Sequence, residues 1–146
     1  MNFDQLLEEF NSRNPYTNAI GIEMTEICFD YAAGKVDYSD KVINRNLHVH
    51  GGVYVSLADT VAGAAAHSTG AHYVTQSCSF QFYKATDKGT LFCTARVNHR
   101  GRKTCVIAAK LTHEDGTLAG EGLFSFYKIS DETNPLHQCM DKPKFR

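Results

Sequence analysis

Apolar residues recur along this chain with two distinct periods. Phe3, Leu6, Leu7 and Phe10 fall at helical spacing, which predicts an N-terminal helix over about residues 3–13, stopped by Asn14-Pro15. Residues 20–29 read as a first strand, with a turn near Ala33-Gly34 and a short return through Val36 and Tyr38. Asn44-Arg45-Asn46 reads as loop. Residues 52–68 are the long helix of the body, opening after Gly51-Gly52 and closing near Gly70. Four runs with two-residue alternation follow, at 73–83, 89–99, 104–112 and 118–128. The first should place Val74, Cys78, Phe80 and Phe82 on one side, and the third Cys105, Ile107, Ala109 and Leu111. Asp87-Lys88-Gly89, the Gly101 region and Glu114-Asp115-Gly116 carry turn chemistry, so the runs should form an antiparallel meander. The order is α+β, with one long helix available to cover one face of a sheet. The tail over about residues 131–146 reads as irregular.

The central helix departs from a surface pattern. Val53, Leu57, Val61 and Ala65 form one stripe, and Val55, Ala62, Gly63 and Ala66 make the opposite side apolar too. A helix apolar all round is expected to be buried all round. Asp59 is its one carboxylate, and an unpaired carboxylate in such a place costs several kcal/mol. Either Asp59 lies on a narrow exposed strip, or bonds the hydroxyls of Ser56 or Thr60, or it is a reacting group whose basicity desolvation tunes. His50-Gly51-Gly52 puts unobstructed N–H groups at the start of the same helix, where negative charge is favoured and an oxyanion can be held. Both groups are expected to line one cavity.

Size and charge narrow the classes. A chain of 146 residues suits a single domain spanning 1–146 and excludes a TIM barrel, which needs about 250 residues. So small a chain is expected to complete a pocket with a neighbouring subunit. Fifteen basic against sixteen acidic residues give a formal charge of −1, which implies neither nucleic-acid nor anionic-membrane partners. The longest apolar stretch falls far short of the roughly 20 residues of a membrane helix. Five cysteines without a Cys-x-x-Cys pair, behind an acidic N-terminus, point to a reducing cytoplasm. Cys93 and Cys105 read as small core residues, and Cys78 is grouped with them as an unreactive thiol in an apolar setting.

Asn44, five intervening residues, His50-Gly51-Gly52 and then Leu57-Ala58-Asp59 together resemble the hotdog-fold acyl-CoA thioesterases, above all their phenylacetate-pathway (PaaI-type) branch. The resemblance covers roughly residues 20–129 and includes Val74-Thr75 after the helix, the Gly-Thr-Leu-x-Cys-x-Ala-x-Val run and Gly-Arg-Lys-Thr. The chain departs from that pattern at Ser77-Cys78-Ser79 and in lacking Pro near Tyr83-Lys84-Ala85. The resemblance implies a hotdog fold, an antiparallel β-sheet wrapped around one long central helix, paired into a homodimer or homotetramer with active sites at the subunit interface. It implies hydrolysis of an acyl-CoA thioester, aromatic or medium-chain, without metal or other cofactor. Asp59 would be nucleophile or general base, and Gly51 N–H would polarise the thioester carbonyl, with Gly52 beside it. Asn44 and His50 would position carbonyl or water, and Thr75 would help orient water from the partner chain. Ser77, read as sharing the strand face of Thr75, is its alternative.

Other features weigh less. His48 and His50 form a His-x-His pair, but no further ligands complete a zinc set. His67, His72, His99, His113 and His137 show no companion spacing and read as surface or loop residues. Arg100, Arg102 and Lys103 concentrate charge in one turn and are candidates for the phosphates of coenzyme A. Two other readings remain: a non-catalytic acyl-CoA-binding or regulatory hotdog protein, and a hotdog hydratase or dehydratase. In the latter a catalytic His follows the helical Asp, whereas His50 precedes Asp59 here.

Overall fold

The computed structural model describes residues 1–131, so the expected irregular tail lies, from residue 132 on, outside the described residues. Two short helices, α1 (Phe3–Ser12) and α2 (Pro15–Ile20), precede strands β1 (Ile22–Cys28) and β2 (Tyr31–Asp37). Then come α3 (Gly51–His67) and four strands, β3 (His72–Phe82), β4 (Thr90–Arg100), β5 (Thr104–Thr112) and β6 (Leu118–Ser130). All pairings are antiparallel, and the sheet order is β1-β2-β4-β5-β6-β3, so β1 and β3 form its edges. The expected four-strand meander is thereby corrected: β4-β5-β6 is a meander, whereas β3 crosses over to pair with β6 and does not touch β4 in the sheet.

The sheet curls around α3, which packs against all six strands. Leu57, Ala58, Val61, Ala62 and Ala64 to Ala66 are fully buried against Leu91, Cys93, Ile107, Leu111 and Phe124. The small residues from Ala62 to Ala66 let the strands come close, as the apolar pattern requires. Burial is not complete, however. Gly52 is exposed, and Gly51, Val55, Ser56, Asp59 and Thr60 are half-buried, leaving one open strip along the helix. Tyr54, on the buried side, ties the β3–β4 connection beneath the helix start. Its hydroxyl lies 2.6 Å from both Lys84 O and Thr86 Oγ1.

Three local expectations are corrected. The β1–β2 turn falls at Phe29-Asp30, with Asp30 at φ 59, and Ala33-Gly34 lies inside β2. Gly34 serves close approach rather than a turn: a Cβ there would stand 2.9 Å from Val61 Cγ2 and 3.0 Å from Glu23 O. Asn14-Pro15 ends α1 but also starts α2, with Pro15 at its first turn, where a missing N–H costs nothing. Finally, bulges break the alternation in β3 between Thr75 and Ser77, and in β4 between Val97 and His99. A bulge inserts one residue and reverses which side chains face inward. Val74 therefore pairs with exposed Tyr127 on the outer face, while Thr75 and Cys78 pair with buried Phe126 and Phe124 on the helix side.

Candidate active site

The half-buried carboxylate of Asp59 accepts a 2.7 Å hydrogen bond from Thr75 Oγ1 of edge strand β3 in the same chain. Thr75 thus serves its own Asp59 rather than, as expected, that of a partner. The hydroxyls of Ser56 and Thr60 do not serve Asp59. Each bonds back to its own helix, Ser56 to Gly52 O at 2.8 Å and Thr60 to Ser56 O at 2.7 Å. Burial pushes the Asp59 carboxyl above the ordinary aspartate range, and the Thr75 hydroxyl, which favours the charged form, opposes that shift in part. The result is a carboxylate more basic than a solvated one, with a single donor fixing its orientation.

Conformation at the start of α3 follows from His50. Its backbone is extended (φ −60, ψ 138), its Nδ1 accepts from Gly52 N–H at 2.8 Å, and its carbonyl takes Val53 N–H. This is an N-cap made by an imidazole, so the neutral ring carries its proton on exposed Nε2. Gly52 N–H is thereby occupied, whereas Gly51 N–H has no acceptor among the described residues. Asn44 Oδ1 accepts from Asn46 N–H at 2.9 Å and His48 N–H at 3.2 Å, closing the loop in which Leu47 adopts φ 62. That loop is tied to the helix start by His50 N–H donating to Val42 O at 2.8 Å.

The expected residues thus form two clusters rather than one. Asp59 and Thr75 meet midway along α3; Asn44, His50, Gly51 and Gly52 gather at its start. Eight residues at 1.5 Å each separate Gly51 from Asp59 by about 12 Å. A reacting carbonyl must lie about 3 Å from both the attacking group and its oxyanion donor, so one chain does not bring these two groups to one atom.

Other placements differ from expectation. Ser77 lies beyond the β3 bulge, opposite Ser125, on the face away from Asp59. Cys78 is exposed rather than set in apolar surroundings, while Cys93 and Cys105 are buried and burial pushes both thiols up. His67 and His72 are not surface residues. His67 Nδ1 lies 2.7 Å from Gly63 O, burial lowers its pKa, and its ring packs edge-on against buried His72.

The reading of Arg100 as a phosphate contact is also corrected. The β4 bulge turns its side chain inward, where Nε and Nη2 bond Asp30 Oδ1 at 3.0 and 2.7 Å. Nη1 and Nη2 also cap Ala66 O and Ala65 O at the end of α3, and Nη1 reaches Tyr73 Oη at 2.9 Å. These contacts use its five N–H donors, leaving none for a ligand. Arg102 and Lys103 remain exposed in the β4–β5 turn. Among the described residues no three His, Cys, Asp or Glu side chains gather as a metal would require, and no helix is long and apolar enough to cross a membrane.

The sequence and the fold both have known relatives. Residues 46–119 match the pattern of the family described as Thioesterase superfamily. The acyl-coenzyme A thioesterase PaaI of Escherichia coli is 30% identical over 97 residues, covering 66% of this chain and 69% of that protein. The solved structure of the E. coli PaaI protein superposes with a TM-score of 0.82 at 24% identity, over 86% of this chain and 92% of that one. A Streptococcus mutans protein solved bound to acetyl-CoA superposes with a TM-score of 0.73 at 25% identity, over 77% and 91% of the two chains.

Proposed function

The chain belongs to the thioesterase superfamily, and on that premise we propose that it hydrolyses acyl-CoA thioesters with Asp59 as the reacting acid. The observation that carries this assignment is the 2.7 Å bond between Thr75 and a half-buried carboxylate on an otherwise uncharged helix strip. As general base, Asp59 takes a proton from water as the water oxygen adds to the carbonyl carbon. As nucleophile, its oxygen adds first and water cleaves the resulting anhydride. In either case negative charge develops on the carbonyl oxygen, the C–S bond breaks, the coenzyme A thiolate takes up a proton, and the free acid leaves. Gly51 N–H, at the positive end of α3, is the donor for that oxyanion. His50 fixes the turn that aims it, and the Asn44 loop supports His50. Exposed Arg102 and Lys103 are the side chains for the phosphates of coenzyme A, and an aromatic or medium-chain acyl group suits exposed Phe82 and half-buried Phe80. A cytoplasmic location fits four described cysteines that are all free thiols.

The 12 Å gap supports a site shared between two copies, Asp59 and Thr75 from one and Gly51 from the other. Edge strand β3, whose outer side pairs with no other strand among the described residues, suits such a pairing. A homodimer is the minimum, and two dimers would make a homotetramer. Mixing two inactive variants tests the sharing. Gly51→Pro removes the N–H at a helix position that tolerates proline, and Asp59→Asn removes the acid. Random reassociation of equal amounts should restore roughly a quarter of wild-type activity, since half the dimers carry one intact site. No recovery after proven subunit exchange would contradict a shared site.

Thr75→Val tests the electrostatics. Loss of the hydroxyl removes the one contact that lowers the Asp59 pKa, so that pKa rises further. Activity requires the carboxylate, so the acidic limb of kcat/KM should move to higher pH in the variant. A limb that stays in place would detach Asp59 from the rate.

A further inference from the structure

The open strip of α3 has two banks. β3 supplies one, with Thr75, Phe80 and Phe82 on the helix side. The other is α2, a helix for which no part is assigned above. It is held from both ends and from below: Pro15 fixes its first turn, Gly21 closes it at φ 80, and buried Thr17 donates to Asn14 O at 3.2 Å. The Tyr16 hydroxyl lies 2.8 Å from Ser56 Oγ. The Ser56 proton is already committed to Gly52 O, so Tyr16 is the donor.

Ser56 precedes Asp59 by three residues, which places the two on one helix face about 5–6 Å apart. The Tyr16 ring is therefore held within one helical turn of the reacting carboxylate, yet it is 60% exposed, as Phe82 across the strip is 55% exposed. A single exposed aromatic ring is ordinary on any protein surface. What sets Tyr16 apart is that its polar end is pinned to the strip bearing Asp59, so its apolar body stands as a fixed wall beside that strip. Asp59 is the one ionisable group along the strip, and the side chains around it are Val55, two hydroxyls tied to the helix, and glycine. That lining fits an apolar acyl group far better than the charged nucleotide end of the substrate.

Resting on the reading of Asp59 as the reacting acid, we propose that Tyr16 is a specificity-determining residue that walls the acyl side of the site and limits the length of chain that fits. Tyr16→Ala removes the wall, and Tyr16→Leu shortens it while keeping an apolar side chain on α2. The measurement is the ratio of kcat/KM for dodecanoyl-CoA to that for hexanoyl-CoA. A ratio between two substrates does not depend on how much of a variant is folded, so a merely structural role leaves it unmoved. Tyr16→Ala should raise the ratio by about tenfold, the scale of gaining or losing fit for a few methylenes in an apolar pocket, and Tyr16→Leu should raise it in the same direction. A rise of less than about threefold in both variants, with wild type active, overturns the role of Tyr16 and leaves the role of Asp59 standing. Wild-type protein that hydrolyses neither ester overturns both.

Discussion

Arg100→Leu should destabilise the protein by about 3 kcal/mol, the scale for removing one partner of a largely buried ion pair. The expectation follows from what the substitution strands. Asp30 loses both charge-assisted bonds, at 3.0 and 2.7 Å, while it stays held in the β1–β2 turn by Ser68 Oγ on its N–H and Val97 N–H on its carbonyl. The carbonyl of Ala66 loses its guanidinium donor at the negative end of α3, and that of Ala65 keeps only Ser68. Arg100 is thus the point where β1–β2 turn, central helix, β3 and β4 are joined. In urea the unfolding midpoint should fall by about 1–2 M at a typical slope for a small domain. Asp30→Asn keeps an acceptor for the guanidinium and should cost less. An Arg100→Leu midpoint within experimental error of wild type would show that α3 is anchored by packing alone.

Arg100 also shows where sequence reading succeeds and where it stops. Period and turn chemistry are local, so α3, the β4-β5-β6 meander and the α+β class could be read from the chain, and the buried places of Cys93 and Cys105 followed from alternation. The pairing of β3 with β6 instead of β4 is a long-range contact that no local turn signals. The hotdog architecture came from the family resemblance that Asn44, His50-Gly51-Gly52 and Asp59 carry rather than from any period. What alternation does not carry is the position of a bulge. One inserted residue in β4 turns Arg100 from the outer face to the helix end, away from its sequence neighbours Arg102 and Lys103. One in β3 separates Ser77 from Thr75 and puts Val74 outside. Both bulges are settled by how strands fit around the helix, which is a tertiary matter. Gly34 was read as a turn because glycine serves turns and close contacts alike, and only Val61 shows which applies. The signal for α2 was present: Asn14-Pro15 before a short run closed by Gly21 is a helix start and stop, and Tyr16 was missed with it. Gly51 and Asp59 were expected to line one cavity, although eight helical residues fix the distance between them wherever the helix lies.

The second large effect concerns that acid. Asp59→Asn keeps the shape of the side chain and an oxygen to accept the Thr75 hydroxyl, so the geometry of the strip should survive. It removes a carboxylate that burial disfavours, so stability near neutral pH should hold or improve, as is common where a reacting group is strained by its setting. The sign is fixed by the raised pKa: the charged form is the one the fold penalises, and that penalty is present above the Asp59 pKa and relieved below it. Activity should move the other way, because an amide neither takes a proton from water nor attacks a thioester at neutral pH.

The most direct measurement is therefore release of free coenzyme A thiol from a panel of acyl-CoA esters by wild-type and Asp59→Asn protein, each shown to be folded. Hydrolysis should proceed in the wild type and fall by at least about 100-fold in the variant, the scale for losing a positioned base. Equal turnover by the two proteins would contradict the assignment of Asp59 as the reacting acid.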